Sequence, residues 1–169
     1  MTKLLLLIPL FIASIAFSQS KVSNSGKIHF QSLNKKDVKA DCISFTSKID
    51  INTKKIVFSV PIQGFEFKQA LMQKHFNNDK NMNSVAFPKA KFVGTITSEI
   101  DFTKDGVYEV EVAGKITIRD VTKDYTAKGT ITIKDGQIEV RSTFVIPGND
   151  FGLTTKYAKE IEITLYAIY

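Results

Sequence analysis

The sequence predicts an all-β domain: an antiparallel barrel of eight strands, with a short helix between the third and fourth strands. Three observations carry this expectation. From Lys27 onward apolar and polar residues alternate in segment after segment, the period of strands buried on one face. Several joins between these segments are turn-forming tripeptides. Glycine or serine also recurs among the large residues of the apolar faces, a pattern that suits a closed barrel better than a flat sandwich.

The first segment of the 169-residue chain lies before this domain. Lys3 supplies a positive start, Leu4 to Phe17 is almost unbroken apolar sequence, and Ala16-Phe17-Ser18 puts small residues at the positions a signal peptidase reads. Residues 1–18 are therefore expected to be a signal peptide cleaved before Gln19. An apolar run of about fourteen residues falls short of the ~20 that cross a bilayer, so no stable membrane span is expected after cleavage. A lipoprotein would need a Cys just after that run, and the only Cys is Cys42. The domain should occupy residues 19–169 and work in the periplasm or as a secreted protein. In an oxidising compartment, a lone Cys42 on a strand-like stretch reads as a small buried hydrophobe.

Strands are expected at Lys27 to Leu33, Val38 to Asp50, Lys55 to Ile62, Lys91 to Asp101, Val107 to Arg119, Asp124 to Lys134, Gln137 to Ile146 and Glu160 to Ile168. Asn52-Thr53-Lys54, Lys104-Asp105-Gly106 and Lys134-Asp135-Gly136 each offer the Asn, Asp or Gly that a tight hairpin needs for positive φ. One stretch breaks the rhythm. From Lys68 to about Asn83 helix formers come first, with Leu71, Met72, His75 and Phe76 on one stripe; Asn77, Asn78, Asp79 and Asn81 then open a polar loop that runs to Pro88.

The inward parity can be followed through Phe92, Gly94 and Ile96; through Val110, Val112, Gly114 and Ile116; through Tyr125, Ala127, Gly129 and Ile131; and through Val140, Ser142, Phe144 and Ile146. The glycines admit two readings: they let strands bend sharply, or they remove side-chain volume so that a cavity stays open. An eight-stranded barrel is just wide enough to be filled by side chains or to hold one small ligand.

Catalysis is poorly supplied. One Cys and two His, His29 and His75, far apart and in no ligand spacing, leave little material for a metal centre, and none is expected. His29 has the opposite parity to Ile28 and Phe30 and should face solvent. No Gly-x-Ser-x-Gly turn or Gly-rich phosphate loop occurs, so no catalytic residue and no cofactor is expected. The net charge of +6, from 23 Lys+Arg against 17 Asp+Glu spread along the chain, describes a basic surface without a nucleic-acid signature. Apolar material gathers instead in the irregular parts: Phe65, Phe67, Leu71, Met72, Phe76, Met82, Phe87 and Phe92 around the helix, and Phe151 and Leu153 after Pro147-Gly148-Asn149-Asp150. Each could simply cap one end of the barrel; together, with two adaptable Met and no Trp, they also suit the lining of a long apolar ligand.

At these segments the chain resembles the YceI-like family of secreted bacterial proteins. The matching stretches are His75-Phe76-Asn77-Asn78-Asp79 through Met82 to Phe87-Pro88 and Lys91-Phe92; Gly114-Lys115-Ile116-Thr117-Ile118-Arg119-Asp120-Val121-Thr122-Lys123; and Asp150-Phe151-Gly152. The resemblance implies a lipocalin-like barrel with a helix near its mouth, and an interior that holds a polyisoprenoid or related amphiphilic lipid. It also implies that Gly94, Gly114 and Gly129 make room for a chain. Leu71, Met72, His75, Phe76, Met82, Phe87, Phe92, Phe144 and Phe151 then complete the candidate ligand-binding set. His75 and Asp150 are candidates for orienting a headgroup; the simpler roles are a hydrogen bond to a loop carbonyl for His75 and turn formation for Asp150. The chain departs from the family at Asn77 and Asn78, which stand where a basic residue and Ser are common, at Asn81 and Met82, which replace an aromatic pair, and at Gly148, where an Arg is common. With those cations gone, a quinone or a fatty-acyl amphiphile is at least as plausible a ligand as a pyrophosphate. The expected function is non-enzymatic binding, transport or storage of a long-chain apolar lipid by a monomer or homodimer. The alternative is a filled barrel acting through its surface as a stress-response or interaction protein.

Overall fold

The computed structural model describes residues 19–153 and 157–169; the expected signal peptide lies outside them. The described chain is all-β with one short α-helix, but it has ten strands where eight were expected. These are β1 (Ser20–Ser23), β2 (Ser25–Ser32), β3 (Lys39–Cys42), β4 (Thr46–Asp50), β5 (Lys55–Pro61), β6 (Lys89–Ile96), β7 (Gly106–Ile118), β8 (Val121–Lys134), β9 (Gln137–Pro147) and β10 (Glu160–Ile168). They form a single curled antiparallel sheet in the order β1-β4-β5-β6-β7-β8-β9-β10-β2-β3.

The two additional strands have local causes. β1 is four residues long with one fully buried side chain, Ser23, so it carries no alternating apolar signal. The Ser23 hydroxyl accepts the Ser25 amide (3.1 Å), which breaks the strand at Asn24. The stretch read as one strand from Val38 to Asp50 is divided by Ile43–Phe45 into β3 and β4. The register nevertheless runs on across both breaks: Ser23 faces Ser47 and, five residues later, Ile28 faces Cys42. The outer ends of the sheet, β1 and β3, thus belong to one kinked hairpin, and the sheet curls back towards its own beginning.

The turns are placed partly as expected. Asp135 and Gly136 take positive φ in a two-residue hairpin. Around Asn52 the positive φ falls on Lys54 instead, with the Asp50 carboxylate accepting the Asn52 and Thr53 amides. At Lys104-Asp105-Gly106 there is no positive φ: β6 already ends at Ile96, and residues 97–105 form a loop in which Asp101 accepts both the amide and the hydroxyl of Thr103. Arg119-Asp120, with Arg119 at φ 56°, makes a tight turn inside the motif that carries the family resemblance.

The sheet encloses two apolar regions. One end is solid: Ile96, Val110, Ile131, Ile133, Ile138 and Val140 pack there with Ile49, Ile56 and Cys42, all buried. Tyr169 closes this end. Its backbone pairs both ways with Ile138, and its phenol is hydrogen-bonded to the buried Ser47 hydroxyl. The second region, nearer the helix, contains Ile62, Met82, Ile116, Ile118, Ile146, Phe151 and Leu153. His29 lies on the outer face, its Nδ1 2.6 Å from Asp41, which Lys27 also reaches at 3.0 Å. Partial burial would push the Asp41 carboxyl up, but the hydrogen bonds from His29 and Lys27 outweigh it and hold the group below the usual carboxylate range.

Candidate ligand-binding site

Along one strand the burial changes while the parity does not. Tyr125, Ala127, Gly129, Ile131 and Ile133 of β8 all point inward, yet the first three are only half-buried, whereas Ile131 is 0% exposed. The same holds for Ser142 and Phe144 of β9 and for Ile161, Ile163 and Leu165 of β10. These positions face a cavity of about 750 Å³, within the range of small-molecule sites. Its floor is Phe58, Val110, Val112, Ile131 and Val140; its walls include Phe92, Ile116, Tyr125, Phe144 and Ile163; its roof includes Phe76, Met72 and Met82.

The roof is held by aromatic packing. Residues Phe65 and Phe67 flank Glu66, whose backbone pairs with Asp41 at the free edge of β3. The α-helix that follows, α1 (Ala70–Asn77), has no fully buried residue of its own. It is anchored through Phe76, whose ring stacks on Phe30 at 5.4 Å and meets Phe67 at 5.0 Å and Phe65 at 5.8 Å. Gln73 fastens the same helix by polar contacts, donating to the Phe65 carbonyl (2.8 Å) and accepting the Phe67 amide (3.0 Å). After α1 the loop is tied by Asn81, which donates to the His75 carbonyl at 2.7 Å.

Of the residues selected from the sequence, Met72, His75, Phe76, Met82, Phe92, Gly129 and Phe144 come together around the cavity. The other five lie elsewhere. Leu71 is 65% exposed on the outer side of α1, because it stands five residues before Phe76 and therefore about 140° round the helix from it. Phe87 lies under the Arg119 guanidinium, 5.6 Å from ring centre to charge. Phe151 is buried in the second apolar region without bordering the cavity. Gly94 and Gly114 face each other across β6 and β7 without bordering the cavity: a methyl group on Gly114 would meet the Val93 carbonyl and the Gly94 Cα, and one on Gly94 would meet the Val112 and Phe92 side chains. Asp150 is exposed in the 3-10 turn Gly148–Phe151, away from the cavity, as a turn former would be.

The polar rim differs from what the sequence suggested. Lys35, from the loop after β2, and Lys80, from the loop after α1, border the cavity together with His75, Asn78 and Asn81. Lys35 also sits 4.9 Å over the Tyr157 ring. Two cations thus stand at the mouth although the family's own basic positions are occupied by neutral residues. Nothing in the sequence marks Lys35, because its approach to the rim depends on the β2–β3 turn. Among the described residues no cluster of His, Cys, Asp or Glu could hold a metal ion, and no helix is long and apolar enough to cross a membrane.

Tyr125 and Phe144 pack at 5.3 Å where β8 and β9 separate, and burial pushes the Tyr125 phenol up. The wall is complete below this point and incomplete above it, so the site is a pocket with a solid base, an aromatic roof and a basic rim. It offers apolar surface and a few hydrogen-bond donors, with no assembled nucleophile and base.

The YceI-like domain matches the chain over residues 14–168. No curated protein matches it. Solved structures with the same fold include BcnA of Burkholderia cenocepacia, at 16% identity and TM-score 0.69, covering 89% of this chain and 96% of that one. A polyisoprenoid binding domain from Saccharophagus degradans, implicated in plant cell wall breakdown, is 10% identical with TM-score 0.75, covering 90% and 98%. The Campylobacter jejuni YCEI protein is 20% identical with TM-score 0.66, covering 78% and 84%.

Proposed function

The chain belongs to the YceI-like family, and from that premise we propose that its cavity binds a single long apolar chain, polyisoprenoid or similar, in a carrier or storage role without catalysis. One observation carries the reading most: inward-facing apolar residues, Ala127, Phe144, Ile161, Ile163 and Leu165, are left half-exposed around one shared cavity. Covering that surface with an apolar chain gains about 0.8 kcal/mol per buried methylene. The similarity in fold to the polyisoprenoid binding domain from Saccharophagus degradans supports the same ligand class. At ~30 Å³ per heavy atom, the liquid share of a water molecule, 750 Å³ takes about 25 atoms of chain.

The headgroup sits at the rim in this reading, where Lys35, Lys80 and His75 favour an acceptor-rich or anionic head. The leader-like residues 1–18 and the lone Cys support work in the periplasm or outside the cell. The test is extraction of protein purified from its native host, with mass spectrometry of the extract, followed by titration with prenyl alcohols and prenyl phosphates of increasing length. We expect stoichiometric lipid and an affinity that rises by about fourfold per methylene until the chain outgrows the cavity. Lipid-free protein that binds no prenyl chain of any length would overturn the proposal.

A further inference from the structure

Resting on the lipid-binding reading, the register of the sheet carries one more step. β8 and β9 are paired only from Lys134–Gln137 to Gly129–Ser142, although β8 runs back to Val121 and β9 on to Pro147. Above Gly129 and Ser142, β8 stays with β7 and β9 stays with β10, so the wall forks. Continued register would put Lys128 opposite Thr143 and Thr126 opposite Val145. Instead two backbone acceptors on the fork are taken by side chains: the Lys128 carbonyl accepts Ser142 Oγ at 2.5 Å, and the Val145 carbonyl accepts the Tyr125 hydroxyl at 3.2 Å. Lys128 and Arg141, both exposed and flanking the fork, border the cavity.

We propose that this fork is a lateral portal of the cavity, through which the apolar chain passes, with the Tyr125 and Ser142 hydroxyl bonds as its latches. Two strands held by side chains rather than by a ladder can part without breaking backbone pairs, whereas β6–β7, β7–β8, β9–β10 and β10–β2 would each have to give up a register. A chain longer than the cavity would leave its tail in this opening, beside the Tyr125 and Phe144 rings.

The test is a cross-link over the fork. Thr126→Cys and Val145→Cys, both exposed and opposite in the continued register, are joined by a short bismaleimide in a Cys42→Ala background. The control joins Thr95→Cys and Ala113→Cys, an exposed pair across the intact β6–β7 ladder. Uptake and release of a fluorescent geranylgeraniol are followed by stopped flow. The fork cross-link should slow both by about tenfold or more with little change in affinity, as expected when only access is altered, and the control should leave both rates unchanged. Tyr125→Phe, which removes one latch, should speed both. Hydrogen exchange supplies a readout that needs no ligand: the amides of Thr126, Lys128, Thr143 and Val145 should exchange much faster than that of Ile131. Protection of those four, or wild-type rates in the cross-linked protein, would overturn the portal alone. Failure of the unmodified protein to take up the probe would overturn the lipid reading and the portal with it.

Discussion

Gly94 and Gly114 face each other directly across β6 and β7, and a methyl group on Gly114 would lie 2.5 Å from the Gly94 Cα and against the Val93 carbonyl. No flexible side chain is available there to give way. Gly114→Ala should therefore lower stability by about 1–3 kcal/mol, the usual cost of overpacking, while prenyl-chain affinity stays within twofold. Chemical unfolding and a binding titration check the two halves. A large loss of affinity at unchanged stability would show that the pair shapes the cavity after all.

The Phe76 ring meets three others, and α1 has no fully buried residue. Phe76→Ala should cost about 2–4 kcal/mol, somewhat below the range for a fully buried Phe, and should speed ligand release because the roof loses its anchor. Leu71→Ala, five residues earlier and on the exposed side of α1, should change stability by less than about 0.5 kcal/mol. Thermal unfolding of both variants with and without a prenyl ligand measures this contrast.

How far these features were legible depends on whether their cause is local. The inward parity of Tyr125, Ala127, Gly129 and Ile131 could be read from alternation alone, since each strand's burial follows its own period. β1 could not, because Ser20–Ser23 buries a serine and nothing larger. The stripe Leu71, Met72, His75 and Phe76 was visible as a stripe, but the aromatic neighbours that select Phe76 as its anchor come from β2 and from the segment on the β3 edge. The fork is a property of register between strands, and the convergence of Lys35 and Lys80 depends on loops far apart in sequence. Neither leaves a periodic trace. Glycine on an inward parity was ambiguous for the same reason. Gly129 borders the cavity and Gly94 does not, although both occupy the same kind of position in the pattern.

At the closed end, burial pushes the Tyr169 phenol up to about 12 from 10.0, against the opposing effect of its hydrogen bond with Ser47. A raised value means that the folded state holds the proton more tightly than the unfolded chain does. The stabilisation is complete below pH 10 and is lost as pH rises from 10 towards 12, by about 2–3 kcal/mol in all. Tyr169→Phe should remove that alkaline component while costing about 1 kcal/mol near neutral pH, because the buried Ser47 hydroxyl loses its partner. The difference between the two proteins' unfolding free energies, measured from pH 8 to 12, isolates this group from the lysines that titrate in the same range.

Ala127 offers the most direct control of the cavity. It points inward from β8, is half-buried, and stands opposite Val112 on a continuous part of the β7–β8 ladder. A larger side chain there extends into the open volume and not into packed atoms. Ala127→Phe should consequently leave stability unchanged or raise it, because new apolar surface is covered at ~25 cal/mol per Å² without displacing a neighbour. The same change removes space that a ligand needs, so prenyl-chain affinity should fall by about tenfold or more, a loss equivalent to roughly two methylenes of burial. Stability and binding would then move in opposite or unrelated directions, which a merely destabilising substitution cannot produce. Calorimetric unfolding alongside ligand titration reads both, and an affinity unchanged by the substitution would place the ligand outside this cavity.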